Sequence, residues 1–296
     1  MALCDWQKVT LGRTGLHVSR IGLGSSYGVG AADVERAFDR GINYFYWGST
    51  RTEQFGRGIT AVAHKARQDA VVVVQSYARF GTLVRVSVES ALKRLGLDYV
   101  DLVLLGLWNA PVPARVMDSA RALVSSGKAR HVLVSCHHRP TIELHARNRD
   151  IGAIMVRYNA AHRGAEREVF PKLGEAPPGV IAYTATRWGA LLDPSLMPEG
   201  ETVPTSTDCY RFALSRPEVN VCLAGPGDGV ELDLAMRALD LGPLDPDELA
   251  RMRRIGDSVH ARARQGARRG GLRVLDWLAG SPAGAGDDAG SRDGGD

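Results

Sequence analysis

The feature that most constrains this chain is an alternation. Short apolar runs, each the length of one strand, are separated by helical patterns almost from end to end. The runs are Arg20–Leu23, Asn43–Trp47, Val71–Gln75, Asp101–Leu105, His131–Ser135, Ala153–Val156, Gly179–Ala182 and Val219–Leu223. Val71-Val72-Val73-Val74 and Leu102-Val103-Leu104-Leu105 are continuously apolar, as strands buried on both faces of a parallel sheet must be. Between them, Val84, Val88, Ala91, Leu92 and Leu95 share one helical face and Gly96 stops it, and Arg115–Ser126 stops at Gly127 in the same way. Eight β–α units with short connections predict a closed (β/α)8 TIM barrel rather than an open sheet.

The remaining segments fit around that barrel. Gln7–Ser19 carries Gly12 and Gly15 between β-prone flanks, which predicts an N-terminal β-hairpin plugging the bottom of the barrel. Asp245–Gln265 reads as a C-terminal extra helix. The 296 residues exceed the roughly 250 of a typical barrel. The barrel is assigned to residues 1–279, and residues 280–296, rich in Gly, Ala, Asp and Ser, form a tail too poor in apolar residues to offset the entropy of ordering. That tail is expected to be disordered.

Composition excludes some classes of partner. Lys and Arg total 37 against 33 Asp and Glu, a net +4, so no global field calls for nucleic acid. The local excess at Arg251, Arg253, Arg254, Arg262, Arg264, Arg268, Arg269 and Arg273 reads either as an anion-binding stretch or as a solvated helix face. No stretch approaches the ~18 apolar residues of a membrane span. Cys4, Cys136, Cys209 and Cys222 show no paired spacing, and no apolar leader opens the chain, so a cytoplasmic protein with reduced thiols is expected.

Barrel enzymes work at the C-terminal ends of their strands. There the sequence places Tyr46 and Trp47, Gln75, Ser76 and Tyr77, Gly106, Trp108 and Asn109. Further on come Ser135, Cys136, His137 and His138, then Arg157, Tyr183, Trp188 and Gly225. Polar groups among apolar walls suit a planar or anionic small molecule, although strand ends are also polar simply where they meet water. His137-His138 is no metal site: adjacent strand residues point oppositely, and no carboxylate or third His has ligand spacing. Cys136 is either a nucleophile beside His137 or a buried inert thiol. Gly225-Pro226-Gly227-Asp228-Gly229 could offer N–H groups to an anion or be only a turn. Arg157 could clamp a carboxylate or form a structural pair with Glu166 or Glu168, the latter being favoured.

Several segments resemble the aldo-keto reductase family, in family order. They are Leu11-Gly12-Arg13-Thr14-Gly15-Leu16-His17-Val18-Ser19, Gly22-Leu23-Gly24, Gly41-Ile42-Asn43-Tyr44-Phe45 and Leu97-Asp98-Tyr99-Val100-Asp101-Leu102. Arg157-Tyr158-Asn159, Glu166-Arg167-Glu168-Val169 and Ile181-Ala182-Tyr183 follow. The resemblance implies NADPH-dependent carbonyl reduction by an Asp-Tyr-Lys-His tetrad. Carried over by neighbouring motifs, however, the four positions are Tyr46, Arg51, Ser76 (or Gln75, one residue earlier) and Gly106. Lys65 and Lys93 lie on helical segments, away from the cup.

For the cofactor, the resemblance implies contacts from Ser135, Tyr183, Gly189 and Gly225, while Cys136 and Met155 stand where the family has Asn and Gln. Glu231 falls near the site of the adenosine 2′-phosphate, where it would repel the dianion, so NADPH is expected to bind weakly or not at all and NADH is less excluded. The preferred expectation is a repurposed or degenerate barrel binding a small organic molecule. The alternatives are an NAD(P)H-dependent oxidoreductase using Tyr46 or Arg51, and a lyase or isomerase built on His137 and Arg157.

Overall fold

The eight runs close on themselves. In the computed structural model, which describes residues 6–25, 27–49 and 52–269, two short strands come first, β1 (Lys8–Thr10) and β2 (His17–Ser19). There follow β3 (Ile21–Gly24), α1 (Ala31–Asp39), β4 (Tyr44–Trp47), α2 (Glu53–Ala66), β5 (Val71–Gln75), α3 (Gly81–Leu95), β6 (Val100–Leu107) and α4 (Ala114–Ser125). The second half runs β7 (Ala129–Ser135), α5 (Arg139–Arg147), β8 (Ile151–Arg157), α6 (Ala165–Glu168), β9 (Gly179–Tyr183), α7 (Ser206–Leu214), β10 (Val221–Ala224), α8 (Gly229–Leu241) and α9 (Pro246–Arg269). Strands β3 to β10 form a closed barrel, every adjacent pair parallel, with β10 joined to β3. Arg51, the 280–296 tail and Arg273 lie outside the described residues.

Side-chain alternation divides the barrel into two cores. Tyr44, Val71, Val73, Leu102, Leu104, Leu133, Ala153, Met155, Ile181 and Val221 fill the interior. Their neighbours, among them Phe45, Val72, Val74, Val103, Val132 and Val134, face the helices. This is why the strands read as unbroken apolar runs. Gly22 admits the buried Tyr44 ring: a Cβ there would meet Tyr44 Cδ1 at 2.5 Å.

The hairpin is the bottom plug. β1 and β2 pair antiparallel, and the buried Leu11, Leu16 and Val18 belong to the interior core. Arg13 fastens the plug by donating to the carbonyls of Ile151 (2.6 Å) and Asn148 (2.7 Å). The side chain of Asn43 ties the hairpin to the barrel. Its Oδ1 accepts from Ser19 N at 2.7 Å, and its Nδ2 donates to the carbonyls of His17 and Asp69, each at 2.9 Å.

The extra helix α9 explains part of the C-terminal basic stretch. Arg253 holds Glu166 through two bonds of 3.0 and 3.1 Å, and Glu166 also accepts from the Tyr158 hydroxyl at 2.7 Å. Arg251 and Arg254 share Glu201, and Arg262 donates to the Ser195 carbonyl at 2.6 Å. These four arginines therefore work within the fold, tying α9 to the loops over the barrel. The side chains of Arg264, Arg268 and Arg269 lie outside the described residues.

Candidate functional site

The inward alternation continues past the interior core and selects the cup at the top of the barrel. In phase with the interior residues, Tyr46 is the last inward residue of β4, Gln75 ends β5, Ser135 ends β7, Arg157 ends β8 and Tyr183 ends β9. Ser135 is in register with Met155, and Arg157 with Tyr183, so β7, β8 and β9 present their ends side by side. Tyr46, Tyr183 and Leu223 pack on the interior core and are partly exposed.

Several sequence candidates sit elsewhere. Ser76 is buried and faces away from the cup, its hydroxyl accepting from Ser87 of α3 at 2.7 Å. The inward residue is Gln75, one position earlier. Trp47 belongs to the helix-side core, donating from Nε1 to the Thr52 carbonyl at 3.1 Å. Trp108 also packs on that outer core, with Arg79 4.2 Å above its ring. Asn109 is a clasp between loops: its Oδ1 accepts from His137 N at 2.8 Å and His138 N at 3.1 Å. The exposed His138 turns to Thr141 Oγ1 at 2.8 Å, where it begins α5.

Others do gather at the rim. Gly106 sits on an irregularity of β6 at φ 79°, beside Tyr77. The imidazole of His137 lies parallel to the Tyr183 ring within 25°, with centroids 6.1 Å apart. The half-exposed Trp188 lies under Arg157, whose guanidinium carbon is 5.0 Å from the ring centroid. Glu166 is engaged by Arg253 and Tyr158, and Glu168 by Arg139 at 2.8 Å.

The segment after Tyr183 is held in an unusual backbone conformation. Thr184, Arg187 and Trp188 all adopt the left-handed region (φ 57°, 52° and 51°), and Gly189 follows at 85°. Such conformations cost about 1–3 kcal/mol each in side-chain-bearing residues and persist only where the surroundings fix them. Here the buried Asn159 fixes one, donating from Nδ2 to the Thr184 carbonyl at 2.8 Å.

The electrostatics of the cup follow from burial. Tyr46 donates to Gln75 Oε1. Its phenol is held well above the ordinary value of 10, first by burial and then by Tyr77 and Tyr44 nearby. Burial raises Tyr183 to about 12 against the opposing influence of Arg157 and Ser135. The Tyr183 hydroxyl oxygen is buried beside Ser135 and Arg157. Burial likewise pushes the Cys136 thiol to about 11, with its Sγ 3.2 Å from the His138 carbonyl. A thiol held protonated in this way is a weak nucleophile at neutral pH. Among the described residues, no group of three or more His, Cys, Asp or Glu is arranged to hold a metal ion.

Sequence reasoning missed two features of the glycine-rich loop before α8. Glu231 folds back, its Oε2 accepting from Gly227 N at 2.7 Å, while Asp228 Oδ1 accepts from Glu231 N at 2.9 Å. The chain's own carboxylate thus takes one of the N–H groups that the loop could have offered an anion. The ring of Tyr27 also lies on Gly225, where a Cβ would meet Tyr27 Cδ2 at 2.2 Å. The acidic residue was legible as a helix start, since Asp228-Gly229-Val230-Glu231 has the spacing of a capping box. Tyr27 left no such signal.

A barrel of this topology, with a hairpin plug and a helix folded over its top, is a scaffold that known proteins share. A model of the aldo/keto reductase family matches residues 29–202, more than half of the chain, and the chain belongs to that family. L-galactose dehydrogenase of Arabidopsis thaliana is 37% identical over 114 residues, covering 31% of this chain and 35% of that protein. Probable aldo-keto reductase 1 of Glycine max is 24% identical over 232 residues, covering 70% of this chain and 66% of that protein. The chain thus spans less than two thirds of the length of both relatives. Among solved structures, the holo form of an aldo-keto reductase from Bacillus halodurans superposes with a TM-score of 0.71 at 21% identity, covering 84% of this chain and 96% of that one. An aldo/keto reductase from Klebsiella pneumoniae in complex with NADP and acetate gives 0.69 at 20%, covering 85% and 95%. These two likenesses establish the barrel.

Proposed function

We propose that this family member binds a small organic molecule in the cup and does not perform NADPH-dependent carbonyl reduction. The observation that carries the reading is the Tyr46–Gln75 pair. Carbonyl reduction needs a proton donor at the oxygen that gains charge as hydride arrives at carbon. Tyr46 is a phenol at the position where the family has its Asp, and burial makes it a weaker acid rather than a stronger one. Its proton is directed at Gln75, not at the open cup. Gly106 supplies no side chain where the family's His orients the carbonyl. Loss of general-acid assistance typically lowers the rate by ~10²–10⁴-fold.

The cofactor residues fit NADPH equally poorly. Glu231 places a carboxylate, rather than a cation, by the loop that would hold the 2′-phosphate. The nicotinamide amide would meet Met155 and an outward-turned Cys136. We place the protein in the cytoplasm, where the free thiols of Cys136, Cys209 and Cys222 stay reduced. No helix among the described residues is long and apolar enough to cross a membrane.

The test is a titration of the purified protein with NADPH and NADH, followed by cofactor fluorescence, together with a panel of aldehydes. Weak or absent NADPH binding and background turnover are expected. Micromolar NADPH affinity with aldehyde turnover that disappears in Tyr46→Phe would replace this reading with that of an active oxidoreductase.

A further inference from the structure

Outside the cup, one helix carries an apolar face that the barrel does not use. Large apolar side chains exposed on the described surface are mostly scattered singly, as is normal. Three of them are gathered at the head of α3. Phe80 at its N-cap, then Leu83 and Val86, are 58%, 52% and 55% exposed. Spaced by three residues, they make one ridge along the helix. The core-facing stripe of α3 is a different set, Val84, Val88, Ala91, Leu92 and Leu95, all buried. The helix thus has a second apolar face, turned outward.

Positive charge borders that ridge. Between residues 77 and 95 the cations are Arg79, Arg85, Lys93 and Arg94, and the one acid is Glu89. Glu89 is engaged by Lys128 and Arg85. Arg115, at the start of α4, adds a guanidinium whose carbon lies 5.6 Å from the centroid of the Phe80 ring. Lys93 follows Val86 by seven residues, two helical turns along the same face.

We propose that this face of α3 docks reversibly on an anionic lipid surface. Phe80, Leu83 and Val86 enter the boundary between headgroups and acyl chains, while Arg79, Arg85, Lys93 and Arg115 meet the headgroups. The excess of cations selects an anionic occupant. A second copy of the chain would set these cations against their own counterparts, which is repulsive. A stable protein partner needs about 800 Å² from each side, more than three side chains on a convex ridge supply. A bilayer requires no complementary shape. It takes up apolar side chains at its interface while Lys and Arg heads remain among the phosphates and carboxylates.

The probes are vesicles of phosphatidylcholine alone and of phosphatidylcholine with about one third phosphatidylserine, co-sedimented with the full chain. The chain should bind the phosphatidylserine vesicles, show little binding to phosphatidylcholine alone, and be largely released by high salt. Leu83→Gln with Val86→Gln should weaken binding about tenfold, and Arg85→Gln with Lys93→Gln by about tenfold or more. All four side chains are exposed, so the variants should fold, and thermal melting verifies it. Leu144→Gln with Arg147→Gln makes the same chemical change on the exposed side of α5 and should leave binding unaltered.

No binding to phosphatidylserine vesicles at about 1 mM lipid, equal binding to the two compositions, or full binding by both α3 variants would overturn the proposal. So would self-association of the unaltered chain that Leu83→Gln with Val86→Gln abolishes, since the ridge would then be an interface between copies. None of these results bears on the cup. Aldehyde turnover with NADPH would overturn the non-reductase reading and leave the lipid proposal standing.

Discussion

Replacing Glu231 with arginine tests the cofactor argument most directly, because the residue acts in two separable ways. Its carboxylate takes the Gly227 N–H at 2.7 Å, and its charge opposes an incoming phosphate. Glu231→Ala removes both effects without adding a cation. It should raise NADH affinity a few-fold through the freed N–H, and NADPH affinity by somewhat more because the repulsion of the 2′-phosphate is also gone. Glu231→Arg adds a guanidinium at the start of α8. A charge-assisted hydrogen bond is worth about 1.5–3 kcal/mol, so NADPH should gain roughly 10- to 100-fold over Glu231→Ala, with NADH nearly unmoved.

The stability cost should be small. Glu231 is exposed and in the first helical turn, where an acidic residue contributes about 0.3–1 kcal/mol. The assay is a parallel fluorescence titration of both cofactors at fixed ionic strength, read as the ratio of their affinities. If Glu231→Arg leaves that ratio where Glu231→Ala leaves it, the charge argument is refuted and Glu231 is only a helix cap.

Two further predictions concern the scaffold. Asp101 is buried at the base of β6, accepting from Val72 N at 2.9 Å and pairing with Arg67 at 2.9 Å and Arg130 at 3.1 Å. Asp101→Ala should cost about 3–5 kcal/mol, because it strands a buried N–H and breaks a buried pair. Urea unfolding should show this with cup binding unchanged, and a loss under about 1 kcal/mol would contradict the assignment. The second concerns acid. Two hydrogen bonds from Arg211 hold the Glu248 carboxyl below its ordinary value, against a smaller opposing influence of burial. Its contribution is therefore complete above the unfolded value near 4.3 and lost as pH falls through the lower folded value. Glu248→Gln should lower the melting temperature at neutral pH and flatten its decline in acid. Parallel profiles for the two proteins would argue against the pair.

The barrel was legible because each of its determinants is local. Unbroken apolar runs marked strands buried on both faces, and all eight runs lie within one or two residues of the observed strands. Gly96 ended α3 in the left-handed conformation its position requires. The site was less legible because it depends on phase. A shift of one residue turns a side chain to the other face, which is the whole difference between Ser76 and Gln75. Counting by twos from Val71 and Val73 would have chosen Gln75, and counting from Tyr44 would have excluded Trp47. On β6 the same count fails, since the irregularity between Leu104 and Leu107 breaks the alternation. Trp108 and Asn109 could not be oriented from sequence.

The motifs that carry the family resemblance are largely ones that the scaffold itself requires. Asn43 ties the hairpin to β4 and β5, and Asp101 neutralises two arginines at the barrel base. Asn159 fixes the loop after β9, and Glu166 joins Tyr158 to α9. None of these four side chains reaches into the cup as a reacting group. Each supports a place where the chain must turn, plug or dock, so each is required by the barrel whatever the barrel does. The residues at the inward strand ends, Tyr46, Gln75, Ser135, Arg157 and Tyr183, lie above the interior core, with Tyr46 and Tyr183 packed on its upper edge. Substitution there changes chemistry at small cost in stability. The shared motifs therefore identify the scaffold, and the activity must be argued from those five positions alone.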